Sequence, residues 1–363
     1  ATRGCEFPDA VRLAEREGEI WGTTEEPSKV SLSVVVVSKG TAQPCAAIPP
    51  NGRGAPRANR EYPGYVTFPF HQDSKSIRNA KRDLVFDLRV SCPDEVWNDV
   101  EAALWAWCNF GGLGARTRRG CGAVFCEDFA PKDAAELSVK MKMSRRATND
   151  PVHAWPELFT ALLLKENGAA GAIPAWNDAI RLLQTFRQGL NVGREPGDKV
   201  PGRSRWPEPQ VIRAIVRKRD HADSQMLLTP GMGFPRAAFG LPIVFHFQNE
   251  PDLQEPQLLP KIPGSKGKRM ASPLILRPLL FSDKRTVAMI LQLRTPALES
   301  VALNALKGKE FNFDRDAIVN KKFSSYINSP LKGNGKEKRS EAGSAIEGFL
   351  SFAKENGFQE VKP

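Results

Sequence analysis

An α+β protein of two domains is what the sequence predicts, and three observations predict it. Short apolar runs that read as strands alternate with segments of helical period, as an α+β chain requires. The 363 residues suffice for about two domains of ordinary size. The densest signal lies at Phe110–Val124, where five glycines and three arginines fall within fifteen residues and no acid accompanies them.

Taken in order, residues 8–20 place Val11, Leu13, Ala14 and Ile20 among charges and predict a short helix or turn leading to Trp21. Val30–Val37 is the clearest strand, with Val30, Leu32, Val34 and Val36 on one face and Val35 and Val37 implying burial on both. Residues 38–60 are rich in Gly, Pro, Ala and Arg without period and predict a long loop or insertion. A short strand is expected within Tyr62–Phe70, and a second alternating strand at Leu84–Val90.

Residues 93–109 then predict a helix. Pro93 suits a first helical position, Asp94 and Glu95 favour the positive end of the dipole, and Val96, Val100, Leu104 and Trp107 recur on one face. The glycine-rich loop follows, and Ala123–Cys126 reads as a short strand. Strand, helix, basic loop and strand form the second half of a ferredoxin-like β-α-β-β-α-β unit. The first domain is expected over 1–135.

A second ferredoxin-like domain, decorated with extra helices, is expected over 136–363. Its strands are expected at Leu137–Met143, Leu241–Phe247, Ser272–Leu280, Thr286–Leu293 and, at the edge, Phe358–Val361. Helices are expected at Pro156–Asn167, Pro174–Leu190, Gln210–Arg219, Ala297–Lys307 and Ser344–Asn356, the first two opened by proline.

The net charge of +11 and pI near 9.4 call for a polyanionic partner, and RNA, DNA and acidic lipid all qualify. The six cysteines include no Cys-x-x-Cys pair, so they read as small apolar residues in a reducing compartment, with no zinc site. No apolar run approaches the roughly 18 residues of a membrane span. Neither cofactor nor metal is expected, and the cytoplasm is the expected compartment.

The loop itself reads as an anion cradle. Gly112 and Gly114, with their glycine neighbours, let backbone N–H groups line a concavity, and Arg116, Arg118 and Arg119 add forked, permanently charged donors. It lacks the Gly-Lys-Ser/Thr ending of a nucleotide-triphosphate loop and follows a helix instead of opening one.

Gly111-Gly-Leu-Gly-Ala-Arg-Thr-Arg-Arg-Gly120 resembles the glycine-rich loop of the RAMP superfamily of CRISPR proteins. Arg16–Gly22, Gly202–Glu208, and Phe239–Pro242 with Ser272–Leu274 extend the resemblance to the first subunit of the Cmr (type III-B) effector family. The family pattern begins with a strand and a helix rich in Trp and Arg, whereas this chain opens at Ala1-Thr-Arg-Gly4, so that first strand and most of that helix are expected to be missing from the chain as given.

The resemblance implies two RRM-like RAMP domains and a non-catalytic, RNA-binding subunit of an antiviral ribonucleoprotein. Its implied partners are guide CRISPR RNA, single-stranded target RNA and other RAMP subunits of the complex, with no membrane. Contacts with RNA or a neighbouring subunit are expected at Gly112, Gly114, Arg116, Arg118 and Arg119. In the second domain the candidates are Arg203, Arg205 and Arg236, together with Lys266, Lys268 and Arg269 on a basic arm running from Lys261 or on a solvated loop. Trp206 reads as a core anchor, and Lys332–Arg339 as a solvated linker. The alternatives are a metal-free RAMP endoribonuclease using His71, His153, His221 or His246, with His246 read as buried or structural, and a protein scaffold that never touches RNA.

Overall fold

The computed structural model describes residues 10–47, 57–70, 77–143, 157–166, 171–195, 204–217, 233–247, 250, 253, 255–261, 269–295, 298–306, 309–315 and 344–361. Their elements run α1 (Ala10–Trp21), β1 (Ser31–Ser38), β2 (Thr41–Pro44), β3 (Ala46–Ala47), β4 (Arg57–Ala58), α2 (Gly64–Thr67), β5 (Asn79–Arg82), β6 (Val85–Ser91), α3 (Asp94–Phe110), α4 (Ala134–Met143), β7 (Glu157–Glu166) and α5 (Ala172–Gln188). They continue with α6 (Glu208–Arg217), β8 (Ile243–Val244), β9 (Gln257–Lys261), β10 (Leu274–Leu280), β11 (Thr286–Arg294), β12 (Ser300–Leu306), β13 (Lys309–Asp314), α7 (Ala345–Glu355) and β14 (Gln359–Glu360). The order is α+β, with antiparallel pairings such as β1–β6, β7–β11 and β9–β12.

Contacts divide the chain into one unit of residues 1–181, 275–296 and 361–363 and another of 182–274 and 297–360. The 1–135 and 136–363 division follows chain order; contacts instead keep residues 136–181 in the first unit and return β11 and most of β10 to it.

In the first unit β10, β11 and β7 lie side by side in one sheet. Ile290 faces Leu163 and Leu291 faces Leu162 across the β11–β7 pair. Its core gathers Trp105 and Phe110 from α3, Leu137 and Met141 from α4, and Leu279, Met289 and Leu291 from the sheet. Fully burying each such side chain contributes about 1.5–3 kcal/mol. A smaller cluster joins Ile20 of α1 to Val96 and Val100 of α3 beneath Val30.

The β1–β6 pair is differently placed. Val34 faces Leu88 and Val36 faces Phe86, yet every residue of β1 is exposed. The two-sided burial expected of Val35 and Val37 is therefore corrected: Val37 keeps 62% of its surface open. A run of valines sets extended backbone by local preference but does not by itself supply a covering layer.

Several expected elements change type. Leu137–Met143 is the end of helix α4, not a strand: Asp133 Oδ1 accepts from Glu136 N at 2.8 Å, and Leu137 and Met141, four apart, bury together while Val139 stays exposed. The helix expected at 156–167 is strand β7, because pairing with β11 overrides the helical preference of Leu, Lys and Glu. The helix expected at 297–307 is strand β12, held between β13 and β9. Within 62–70 the backbone forms α2 and a 3-10 turn at Phe68–Phe70. Ala123–Cys126 forms no strand among the described residues.

The second unit carries the sheet β13-β12-β9-β8. Leu258, Val301, Leu303 and Phe313 pack there with Val211, Ile212 and Ile215 of α6. Of the strand expected at 241–247, Ile243–Val244 pairs with β9 and Leu241 forms an isolated antiparallel bridge with Met270. Ser344 caps α7 reciprocally with Glu347, each backbone N–H donating to the other's side chain.

Candidate nucleic-acid interface

The loop begins where α3 stops. Gly111 N still donates to Trp107 O at 2.9 Å, and then Leu113 N donates to Gly122 O at 2.8 Å, pinching the loop into a closed turn. Two glycines are obligatory. At Gly122, with φ 66°, a Cβ would collide with the Leu113 carbonyl; at Gly120, with φ 82°, it would lie 2.5 Å from Trp176 Nε1. Gly112 sits against the Gly122 carbonyl, whereas Gly114 stands at an open tip with nothing within 4 Å of a notional Cβ.

Arg116 is left-handed at φ 61° and ψ 31°. A non-glycine residue in that region is sparsely populated and costs of order 1–3 kcal/mol, a cost that recurs at ligand clamps. Thr117–Arg119 follow as one 3-10 turn. Arg116 is exposed, while Arg118 and Arg119 are half-buried. Surrounding protein desolvates Arg116 and Arg118 and lowers both pKa values, although arginine stays protonated at neutral pH. A cation held partly away from water is better satisfied by an anion than one already fully hydrated.

Carbonyl oxygens of the loop are drawn into the protein. Gly111 O accepts from Arg277 Nη1 at 2.6 Å, and Val124 O from Arg277 Nη2 at 2.9 Å. Gly112 O accepts from Trp107 Nε1 at 3.3 Å, and Arg119 O from Trp176 Nε1 at 2.6 Å. Arg118 O accepts from Arg119 Nη1 at 3.2 Å. With these acceptors engaged, three arginines and no acid leave the loop with a net positive charge. Arg277 and Trp176 escaped the sequence reading; an arginine inside the apolar run Leu274–Leu280 was the available signal for the first.

Burial pushes the thiols of Cys108 and Cys121 up to about 11. Burial in apolar surroundings favours the neutral thiol at both positions. Among the described residues no His, Cys, Asp and Glu cluster could hold a metal ion, and no helix is long and apolar enough to cross a membrane.

The remaining candidates lie in the second unit or outside the described residues. Arg205 Nη1 donates to Asn191 O at 2.9 Å. Arg236 pairs with the buried carboxylate of Glu208 at 3.1 Å, and 15% of its side chain is exposed. That 3.1 Å approach is an ion pair without hydrogen-bond alignment; Arg236 N donates to the other Glu208 oxygen at 2.8 Å. Its guanidinium also lies over the Trp206 and Phe245 rings. Trp206 is buried and donates to Arg187 O at 2.9 Å, a core anchor. Arg269 is exposed, and Lys261 Nζ donates to Asn312 Oδ1 at 2.9 Å. Arg203, Lys266 and Lys268 lie outside the described residues, as do His71, His153, His221 and the 332–339 linker. His246 is exposed rather than buried, 3.1 Å from Glu255.

Comparison with known proteins gives one family match. Residues 2–125, which include the loop and its flanking helix, match the model of the RAMP superfamily. No curated protein matches the chain. Among solved structures, Cmr1 from Pyrococcus furiosus in its apo form is similar at 16% identity and a TM-score of 0.43, covering 89% of this chain and 82% of that one. A chain of a type III-B Cmr-beta complex bound to cognate target RNA is similar at 11% identity and a TM-score of 0.36, covering 78% of this chain and 81% of its own.

Proposed function

We propose, for a chain whose residues 2–125 match the RAMP superfamily model, that it is a non-catalytic RNA-binding subunit of a type III-B CRISPR effector ribonucleoprotein. It holds the 3′ part of the guide RNA and helps capture single-stranded target RNA beside other RAMP subunits. Two ferredoxin-like domains carry these contacts. The observation that supports the reading most directly is the loop 111–124: its carbonyls are tied inward and its arginines stand on a glycine frame that only glycine can form at Gly120 and Gly122.

Such a surface grips phosphate by charge and donor geometry and reads no base, so guide pairing supplies sequence specificity. Arg116, Arg118 and Arg119 with Gly112 and Gly114 form the primary contact. Arg203, Arg205, Arg236, Lys266, Lys268 and Arg269 form a second set, in which Arg236 acts mainly through its pair with Glu208.

The test is single-stranded RNA binding across a salt series, with Arg116, Arg118 and Arg119 intact or all replaced by alanine. Neutralising about five phosphates makes affinity fall roughly 100-fold between about 50 and 200 mM salt, and the triple variant has a shallower slope. Unchanged slope and affinity would remove the loop from the RNA path. RNA turnover by the isolated chain would replace a binding role with a nuclease.

A further inference from the structure

We propose that Arg277 is the positioning residue of the loop, clasping its two ends and placing beneath it a buried cation whose counter-charge is a phosphate bound above. This rests on the RNA-binding reading of the same loop.

Arg277 stands in the middle of β10 and is 2% exposed. Its guanidinium donates to three carbonyls and, among the described residues, pairs with no carboxylate: Gly111 O at 2.6 Å, Val124 O at 2.9 Å and Pro278 O at 3.0 Å. The first two are the entry and exit of the loop. One planar fork therefore fixes both ends, which a lysine ammonium, a point donor on a flexible stem, does not reproduce. Burial lowers the pKa of Arg277 to about 10, so the charge persists at neutral pH.

Two consequences follow for the surface above. A carbonyl turned toward Arg277 is not turned toward an incoming anion, so the clasp removes repulsive oxygens from the cradle. A buried charge without an acid partner is also weakly screened, and it adds attraction for an anion on the loop. A carboxylate in place of the carbonyls would cancel that attraction.

The experiment uses the full chain and an oligouridine of about 15 nucleotides, near the upper site size of one single-strand binding domain. Arg277→Met and Arg277→Lys are compared with the parent by melting temperature, by hydrogen exchange of residues 111–124, and by RNA affinity. Arg277→Met is expected to speed exchange in that segment and to weaken binding roughly tenfold, the scale of one charged hydrogen bond. In a chain already carrying alanine at 116, 118 and 119 it is expected to cost clearly less than in the parent, because Arg277 acts largely by shaping the loop that presents those arginines. Arg277→Lys, keeping the charge without the fork, is expected to fall between the two. Unchanged exchange in 111–124, or the same factor lost in both backgrounds, overturns the proposal. If Arg277→Met does not fold, Arg277→Lys carries the same comparisons. A triple-alanine chain that binds as the parent does overturns the RNA reading and the phosphate half of this proposal, while the exchange result still decides the clasp.

Discussion

Two sheets of the first unit are built from similar residues and end in opposite environments. β11 and β7 meet through Ile290–Leu163 and Leu291–Leu162, all buried. β1 and β6 meet through Val34–Leu88 and Val36–Phe86, and β1 is exposed throughout. The difference lies in what covers each sheet. α3 and α4 give Trp105, Phe110, Leu137 and Met141 to the first, whereas of β1 and β6 only Val90 packs on the small cluster of Ile20, Val96 and Val100. Apolar content marks a strand; a covering layer decides whether that strand carries stability.

The largest expected effect is therefore in the covered sheet. Leu291→Ala removes a fully buried side chain and should destabilise the protein by about 2–5 kcal/mol, read as a lower urea midpoint. In the parent, amide exchange at Met289–Leu291 should approach the global unfolding limit, while β1 should exchange through local opening. Equal protection in both sheets would break the comparison.

A much smaller effect is expected in the open sheet. Val34→Thr with Val36→Thr keeps β-branched side chains on an exposed face, and each change should stay within about 0.5 kcal/mol. A larger loss that disappears on dilution would sharpen the comparison, since it would mean that a second molecule covers β1 at working concentration.

The same contrast explains what was legible in the sequence. Helices α3, α5, α6 and α7 and strands β1, β6, β10 and β11 follow local period and end signals, so they could be read with boundaries a few residues off. α4, β7 and β12 could not: Leu137 and Met141 fit both an alternating and a helical face, and Leu162–Leu164 and Val301–Leu303 are fixed by partners distant in sequence. The loop was legible as glycines and arginines, its support was not. Trp176 and Arg277 reach it from 57 and 166 residues away, and no local pattern encodes such a contact.

The smallest expected effect lies at the solvent-facing turn between β10 and β11, where Lys284 pairs with Glu127 and lies over the Phe125 ring. The hydrogen bond from Lys284, with its charge, lowers the Glu127 pKa below the usual carboxylate value. A carboxyl more acidic in the folded chain than in the unfolded one adds stability above the unfolded value, near about 4.3, and loses it as pH falls through the folded value. Glu127→Gln should therefore lower the melting temperature slightly at neutral pH, and the difference from the parent should vanish in acid. It should also shrink in high salt, because both side chains are solvent-exposed. A gap that persisted in acid and in salt would mean that Glu127 acts by packing and not by charge, and that this end of the covered sheet is less open than its surface implies.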